Sequence, residues 1–164
     1  MTDPERTIEA TRGSSFGILG TRGGVLLLVA ITMDTIQLTI APQDDFLLAT
    51  GVGRVSTEEL LRVLTTVIDT STEQGFDKIL LDFSAVMGKV SVTNLYDVGK
   101  AMAEYCVSKS IHPKLAVVGK PPAVIGFGAE VASNRGLTSK TFSESQSALN
   151  WLRAFGPKAQ KQST

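Results

Sequence analysis

The chain has 164 residues, and its 16 lysines and arginines balance 16 aspartates and glutamates, for a formal net charge of +0. That length fits one domain with a core large enough to need no staples, and the balanced charge excludes broad electrostatic attraction to nucleic acid or to an anionic membrane. A single cysteine, Cys106, excludes an intramolecular disulfide framework and fits a reducing, cytoplasmic compartment.

Residues 1–32 differ from the rest. Gly13-Ser14-Ser15, Gly17, Gly20 and Gly23-Gly24 break every period, and only the apolar run 25–31 stands out. Glycine-rich polar sequence buries too little apolar surface to offset its ordering entropy, so this stretch reads as a flexible N-terminal arm. The run is far short of the roughly 20 residues a bilayer-spanning helix needs. Arg12 and Arg22 precede it in the manner of a secretory signal, but Asp3, Glu5 and Glu9 and the lack of a small-x-small cleavage site argue against one. Organised patterning begins at Met33-Asp34, which makes Met33 a candidate start codon.

From there the elements follow in order. Ile36, Leu38 and Ile40 alternate with Thr35, Gln37 and Thr39, the period of a strand with one wet face. Turn residues 41–45 lead to a second strand over 46–52, so the pair reads as a hairpin. Ser56-Thr57-Glu58-Glu59 is a capping box opening a helix whose inner face carries Leu60, Leu61, Leu64, Val67 and Ile68 and which closes at Gly75. Residues 78–83 are nearly continuously apolar, the mark of a central strand covered on both faces. A helix over 94–108 follows, then His112-Pro113 breaks the chain. A short buried strand spans 115–118. Pro121-Pro122 reads as a helix start leading through Val124, Phe127 and Val131 to Arg135-Gly136. A strand at 139–142 runs into a second capping box, Ser143-Glu144-Ser145-Gln146, and a final helix carrying Ala148, Leu149, Leu152 and Phe155. Gly156-Pro157 ends it, and residues 157–164 read as a frayed tail. The expected fold is α/β, a mixed sheet of about five strands with an antiparallel opening hairpin, the remainder mostly parallel, and about four helices.

Catalytic apparatus is hard to assemble from these residues. His112, the only histidine, sits before a proline with no G-x-S-x-G elbow to serve, and with one cysteine it cannot build a soft-ligand metal site. Cys106 falls on an inner helical face, where burial makes a thiol inert. Gly119-Lys120-Pro121-Pro122 lacks the upstream glycine and the Ser or Thr of a Walker loop. Gly126-Phe127-Gly128 points to close packing or to a surface that stays open. No cofactor and no metal is expected. Ser84, Ser91 and Thr93 follow the central strand, where open α/β sheets place ligands. A helix starting at Thr93 or Asn94 aims its positive end at that crevice. The same residues also read as turn and cap residues.

Taken together, the opening hairpin, Leu80-Leu81-Asp82-Phe83-Ser84, the loop Lys89-Val90-Ser91-Val92-Thr93, Leu115-Ala116-Val117-Val118-Gly119, Asn134-Arg135-Gly136 and the closing segment 142–152 resemble the STAS-like domains, the SpoIIAA-like group related to anti-sigma-factor antagonists. The resemblance spans residues 33–156. It implies a non-enzymatic regulatory module that binds a protein partner, such as a regulatory kinase or an anti-sigma-like protein, with homodimerisation left open. In that family the loop carries an Asp-Ser-Ser/Thr-Gly core with a phosphorylated serine. Here the place reads Ser91-Val92-Thr93-Asn94-Leu95, without the acidic residue or the glycine and with Val92 at the acceptor position. The remaining partner-binding or phospho-acceptor candidates are Ser91, Thr93, Ser84, Asn94 and Tyr96. A different class of function, a small-molecule or lipid carrier, would use an apolar crevice near Phe127, Gly126 and Gly128.

Overall fold

One sheet runs through the chain in sequence order in the computed structural model, which describes residues 9–10, 14–19, 28–32 and 35–157. Among these residues its strands are β1 (Glu9–Ala10), β2 (Ser14–Leu19), β3 (Leu28–Thr32), β4 (Ile36–Pro42), β5 (Leu47–Arg54), β6 (Lys78–Met87), β7 (Lys114–Val118) and β8 (Thr138–Phe142). The helices are α1 (Thr57–Glu73), α2 (Val92–Ser108), α3 (Phe127–Ser133) and α4 (Ser145–Arg153). Pairing is antiparallel from β1 to β5 and parallel from β5 to β8. An opening hairpin, parallel strands after it and four helices make up the architecture that the resemblance to STAS-like domains implies.

Successive right-handed crossovers stepping the same way along a sheet put their helices on one face. Accordingly α1, α2 and α3 bury Ile36, Leu38, Ile40, Ile79, Leu81 and Phe83 beneath Val63, Val67, Val98 and Met102. The opposite face holds a smaller cluster, Leu80, Ala116 and Val118 under Ala148 and Leu152 of α4. β6 therefore has helices on both sides, which explains its unbroken apolar run. Lys78 is 2 % exposed yet keeps its charge paired, its Nζ 2.9 Å from Asp45 Oδ2.

Several expectations need correcting. All five expected strands form, as β4 to β8, and among the described residues three more, β1 to β3, lie within residues 1–32. There Gly17 and Gly20 obscure the alternation of Phe16 and Ile18. Residues 1–8, 11–13, 20–27, 33–34 and 158–164 lie outside the described residues, and with them the rest of the expected arm, the Met33 boundary and the tail. Pro121-Pro122 opens no helix: residues 121–123 form a turn, and α3 begins only at Phe127. The second capping box does not form: Glu144, not Ser143, is the N-cap of α4 and makes no side-chain cap bond. Phe155 falls beyond α4 and is 42 % exposed.

The first capping box forms and reaches further than its sequence implies. Ser56 Oγ accepts from the Glu59 N–H at 3.3 Å and donates to Glu59 Oε2 at 3.0 Å. The same carboxylate, 6 % exposed, accepts from the Thr35 N–H at 2.8 Å and from the Thr35 hydroxyl. Thr35 Oγ1 also lies against the Arg54 carbonyl. One side chain thus ties the entry to β4, the end of β5 and the start of α1. Burial pushes the Glu59 carboxyl up, but the hydrogen bonds from Thr35 and Ser56 outweigh it and leave the group below its ordinary value of 4.5. A depressed folded pKa means the unfolded chain binds more protons, so stability from Glu59 is present above the unfolded value and is lost as pH falls through the folded one. Glu59→Ala should cost about 1–3 kcal/mol in urea unfolding at pH 7. Glu59→Gln should show a shallower loss of stability than wild type between pH 5 and pH 3, in the same assay, by roughly the contribution of this one group.

Candidate functional site

The junction between β6 and α2 is built from backbone upward. β6 continues past the expected end at Phe83 as far as Met87, pairing Ala85, Val86 and Met87 with Val52, Gly53 and Arg54 after a register shift. The Val55 N–H donates to the Met87 carbonyl at 3.0 Å and holds that end. Gly88 then turns the chain at φ 112°, where a Cβ would come within 3.2 Å of the Val55 carbonyl oxygen. Three residues later Ser91 caps α2, its Oγ accepting from the Asn94 N–H at 3.1 Å. Val90 before the cap and Leu95 at the fourth helical position are both buried in the larger core cluster, the pairing of a hydrophobic staple.

The cap is therefore Ser91, two residues before Thr93 and three before Asn94, with the buried Val90 and Leu95 flanking it as a staple. Asn94 serves another purpose: its Nδ2 donates to Thr57 Oγ1 at 2.8 Å, joining the first turns of α2 and α1. Ser91 and Thr93 are exposed. Ser84 lies inside β6 and not in a loop after it. Its N–H and hydroxyl both donate to Asp82 Oδ1, at 2.9 and 2.6 Å, a local turn-like pairing. Tyr96 is 40 % exposed; its hydroxyl accepts from Arg135 Nη2 at 2.7 Å, and the guanidinium sits 5.0 Å from the ring centroid. The Asn134-Arg135-Gly136 turn after α3 is thereby tied to α2.

Sequence reasoning missed the apolar side chains around these hydroxyls. Met87 is 61 % exposed and Val92 is 56 % exposed. Val92 and Tyr96 are four apart and share one helix face. The signal was available in the period of α2, whose buried residues Leu95, Val98, Gly99, Met102, Ala103 and Cys106 leave positions 92 and 96 on the outer side.

The crevice expected near Phe127 is partly present. An apolar cavity of about 80 Å³ lies between α2, α3 and the sheet, lined by Leu95, Met102, Val124, Gly128 and Leu137 among others. Phe127 does not line it and packs, partly buried, against the core. A Cβ on Gly126 would meet Glu130 and Thr141 at ordinary contact distances of 3.9–4.0 Å, and the residue lines a separate groove beside β8. Gly128 is a packing residue: a Cβ on Gly99 of α2 would stand 2.5 Å from the Gly128 carbonyl oxygen, so the two helices cross in near backbone contact.

Reactive groups are held quiet. Cys106 is 3 % exposed, and burial, followed by the nearby Asp69 charge, pushes its thiol up. His112 is an exposed loop residue. Among the described residues no group of three or more His, Cys, Asp or Glu side chains is placed to hold a metal ion, and no helix is long and apolar enough to cross a membrane.

Ser91→Ala should destabilise the fold by about 1 kcal/mol through loss of the cap, whereas Ser91→Asp, which keeps an acceptor and adds negative charge at the helix start, should stay within about 0.5 kcal/mol of wild type. Thermal or urea unfolding of the two variants side by side checks both.

No protein-family model and no curated protein matches the chain. Among solved structures it is similar to an anti-sigma factor antagonist from Mycobacterium paratuberculosis, at 19% identity and a TM-score of 0.48, covering 74% of this chain and 97% of that one. It is also similar to an uncharacterized protein with a SpoIIAA-like fold from Shewanella loihica, at 18% identity and a TM-score of 0.43, covering 81% of this chain and 99% of that one.

Proposed function

We propose that this chain is a non-enzymatic, cytoplasmic regulatory module, with residues 33–156 as its working domain, that binds a protein partner at the start of α2. The observation that carries the reading is the exposure of three apolar side chains, Met87 at the end of β6 and Val92 and Tyr96 on one face of the first turns of α2, at a strand-to-helix junction held by the Ser91 cap and the Asn94 to Thr57 bond. Exposed aliphatic and aromatic side chains on a preorganised surface are the ingredients of a binding hot spot. Ser84, Ser91, Thr93 and Asn94 are the polar groups of the same junction, and Tyr96 adds a hydroxyl held by Arg135. The partner of this reading is a protein of the regulatory kinase or anti-sigma-like type.

Phosphorylation of Ser91 or Thr93 would add about −1.5 to −2 charges beside Val92. At a helix start such charge is locally favourable, but beside an apolar docking surface it opposes desolvation. In this reading, modification at either hydroxyl releases the partner without unfolding the domain.

The carrier reading draws on the apolar cavity. At about 80 Å³ it is smaller than the roughly 150 Å³ that admits one benzene, which disfavours a lipid chain as cargo. Two measurements separate the readings. Wild type, a Met87→Ser/Val92→Ser double variant and Thr93→Glu are used as baits in lysate of the source organism, with Val107→Ser, exposed at the far end of α2, as control. The proposal expects a protein retained by wild type and Val107→Ser and lost by the other two, each folded by circular dichroism. Equal retention by all four baits overturns it. Native mass spectrometry of wild type purified from the source should show the bare chain mass, and a stoichiometric small-molecule adduct would favour the carrier.

A further inference from the structure

Among the described residues β8 has a neighbour on one side only, so the sheet ends there on an open edge. The Gly119 N–H donates to the Phe142 carbonyl, which therefore faces β7. Successive residues of a strand present their N–H and C=O groups to alternate edges, so those of Ser139 and Thr141 face outward. Alongside them runs a groove of about 420 Å³ between β8 and α3, lined by Gly126, Ala129, Glu130, Ser133, Ser139 and Thr141 among others. Three of these residues, Ala129, Ser139 and Thr141, also line the apolar cavity of about 80 Å³ behind it. The groove thus sits at the mouth of a small apolar pocket.

We propose that this edge is a second, separate interaction site, which takes an extended segment of a partner protein as an added strand on β8 with one aliphatic side chain inserted past Ala129 into the cavity. Unpaired backbone groups supply the main-chain hydrogen bonds of such strand addition, and a pocket beside the edge supplies its selectivity. The cavity is too small for the aromatic ring that needs about 150 Å³ and suits a single branched aliphatic group. Glu130 lies exposed on the groove wall and makes no ion pair among the described residues, so the segment complements it with a lysine or arginine near the anchor. A second copy of this chain is a poor occupant. Antiparallel pairing of two β8 strands about their middle residue would set Lys140 opposite Lys140, and like charges directly opposite are destabilising.

The test is selection from a displayed library of random heptapeptides on the full chain, followed by binding measurements on the enriched peptides. The proposal expects an aliphatic anchor next to a basic residue. It expects a loss of affinity of about tenfold or more with Thr141→Pro, which removes one outward donor and spares the bonds to β7. Ala129→Phe, which plugs the cavity mouth, should weaken binding similarly, and so should replacing the peptide's aliphatic anchor by glycine, a change that leaves the protein intact. No enrichment over an empty matrix, or enriched peptides that bind both protein variants as tightly as wild type, would overturn it. Concentration-dependent dimerisation of the wild type that Thr141→Pro abolishes would also overturn it, in favour of a second copy.

Discussion

The buried carboxylate of Glu59 is the point on which the geometry of the first turns of α1 and α2 depends. It accepts hydrogen bonds from Thr35 and Ser56 and so fixes, at once, where β4 begins and where α1 starts. From α1 the constraint passes to α2 through Thr57 and Asn94. A carboxylate this far from water is tolerated only because its oxygens are satisfied, and the same satisfaction keeps it ionised. The strands and helices would pack through their apolar faces without it, but the first turns of α1 and α2 would lose their common register.

That register gives the start of α2 its character as a surface. Gly88 turns the chain, Val90 and Leu95 clamp the entry from the core side, and Ser91 satisfies an orphan donor of the first turn. Core-facing positions being occupied, Val92 and Tyr96 point outward with little freedom to collapse. A rigid apolar surface loses less entropy on binding than a mobile one. At the other end of α2 a polar cluster performs the structural role instead: Tyr105 and Lys109 both donate to Asp69 of α1. Lys109 is held well above the usual lysine range, first by its contact with Tyr105 and then by Asp69.

Much of this was legible in the residues. The alternation of Ile36, Leu38 and Ile40, the Ser56 to Glu59 capping box and the apolar run of β6 each predicted the element that forms, because a local pattern there agrees with the burial that the sheet imposes. Errors arose where tertiary context overrode local signals. Ser84 reads as following the central strand, yet pairing with β5 carries β6 on to Met87. The cap of α2 was assigned to Thr93 or Asn94 because the staple partners Val90 and Leu95 are recognisable only once both are known to be buried. Pro121-Pro122 reads as a helix start, yet the chain turns there and reaches α3 only at Phe127. Tyr96 is a candidate on sequence grounds, whereas the exposure of Met87 and Val92 escapes a reading that looks for hydroxyls and charges, and the groove beside β8 follows from strand order, which no single segment encodes.

The proposed role rests on three of the exposed apolar side chains, Met87, Val92 and Tyr96, which flank the start of α2, whereas Val107 is exposed at its far end. The most direct test of that claim places a photo-crosslinking amino acid at position 92, or in parallel at position 107, in cells of the source organism. Both sites are exposed and lie on the same helix, so they differ only in which end they report. The account predicts one discrete protein cross-linked from position 92 and none from position 107. Cross-linking of the same protein from both positions, or from position 107 alone, would contradict it.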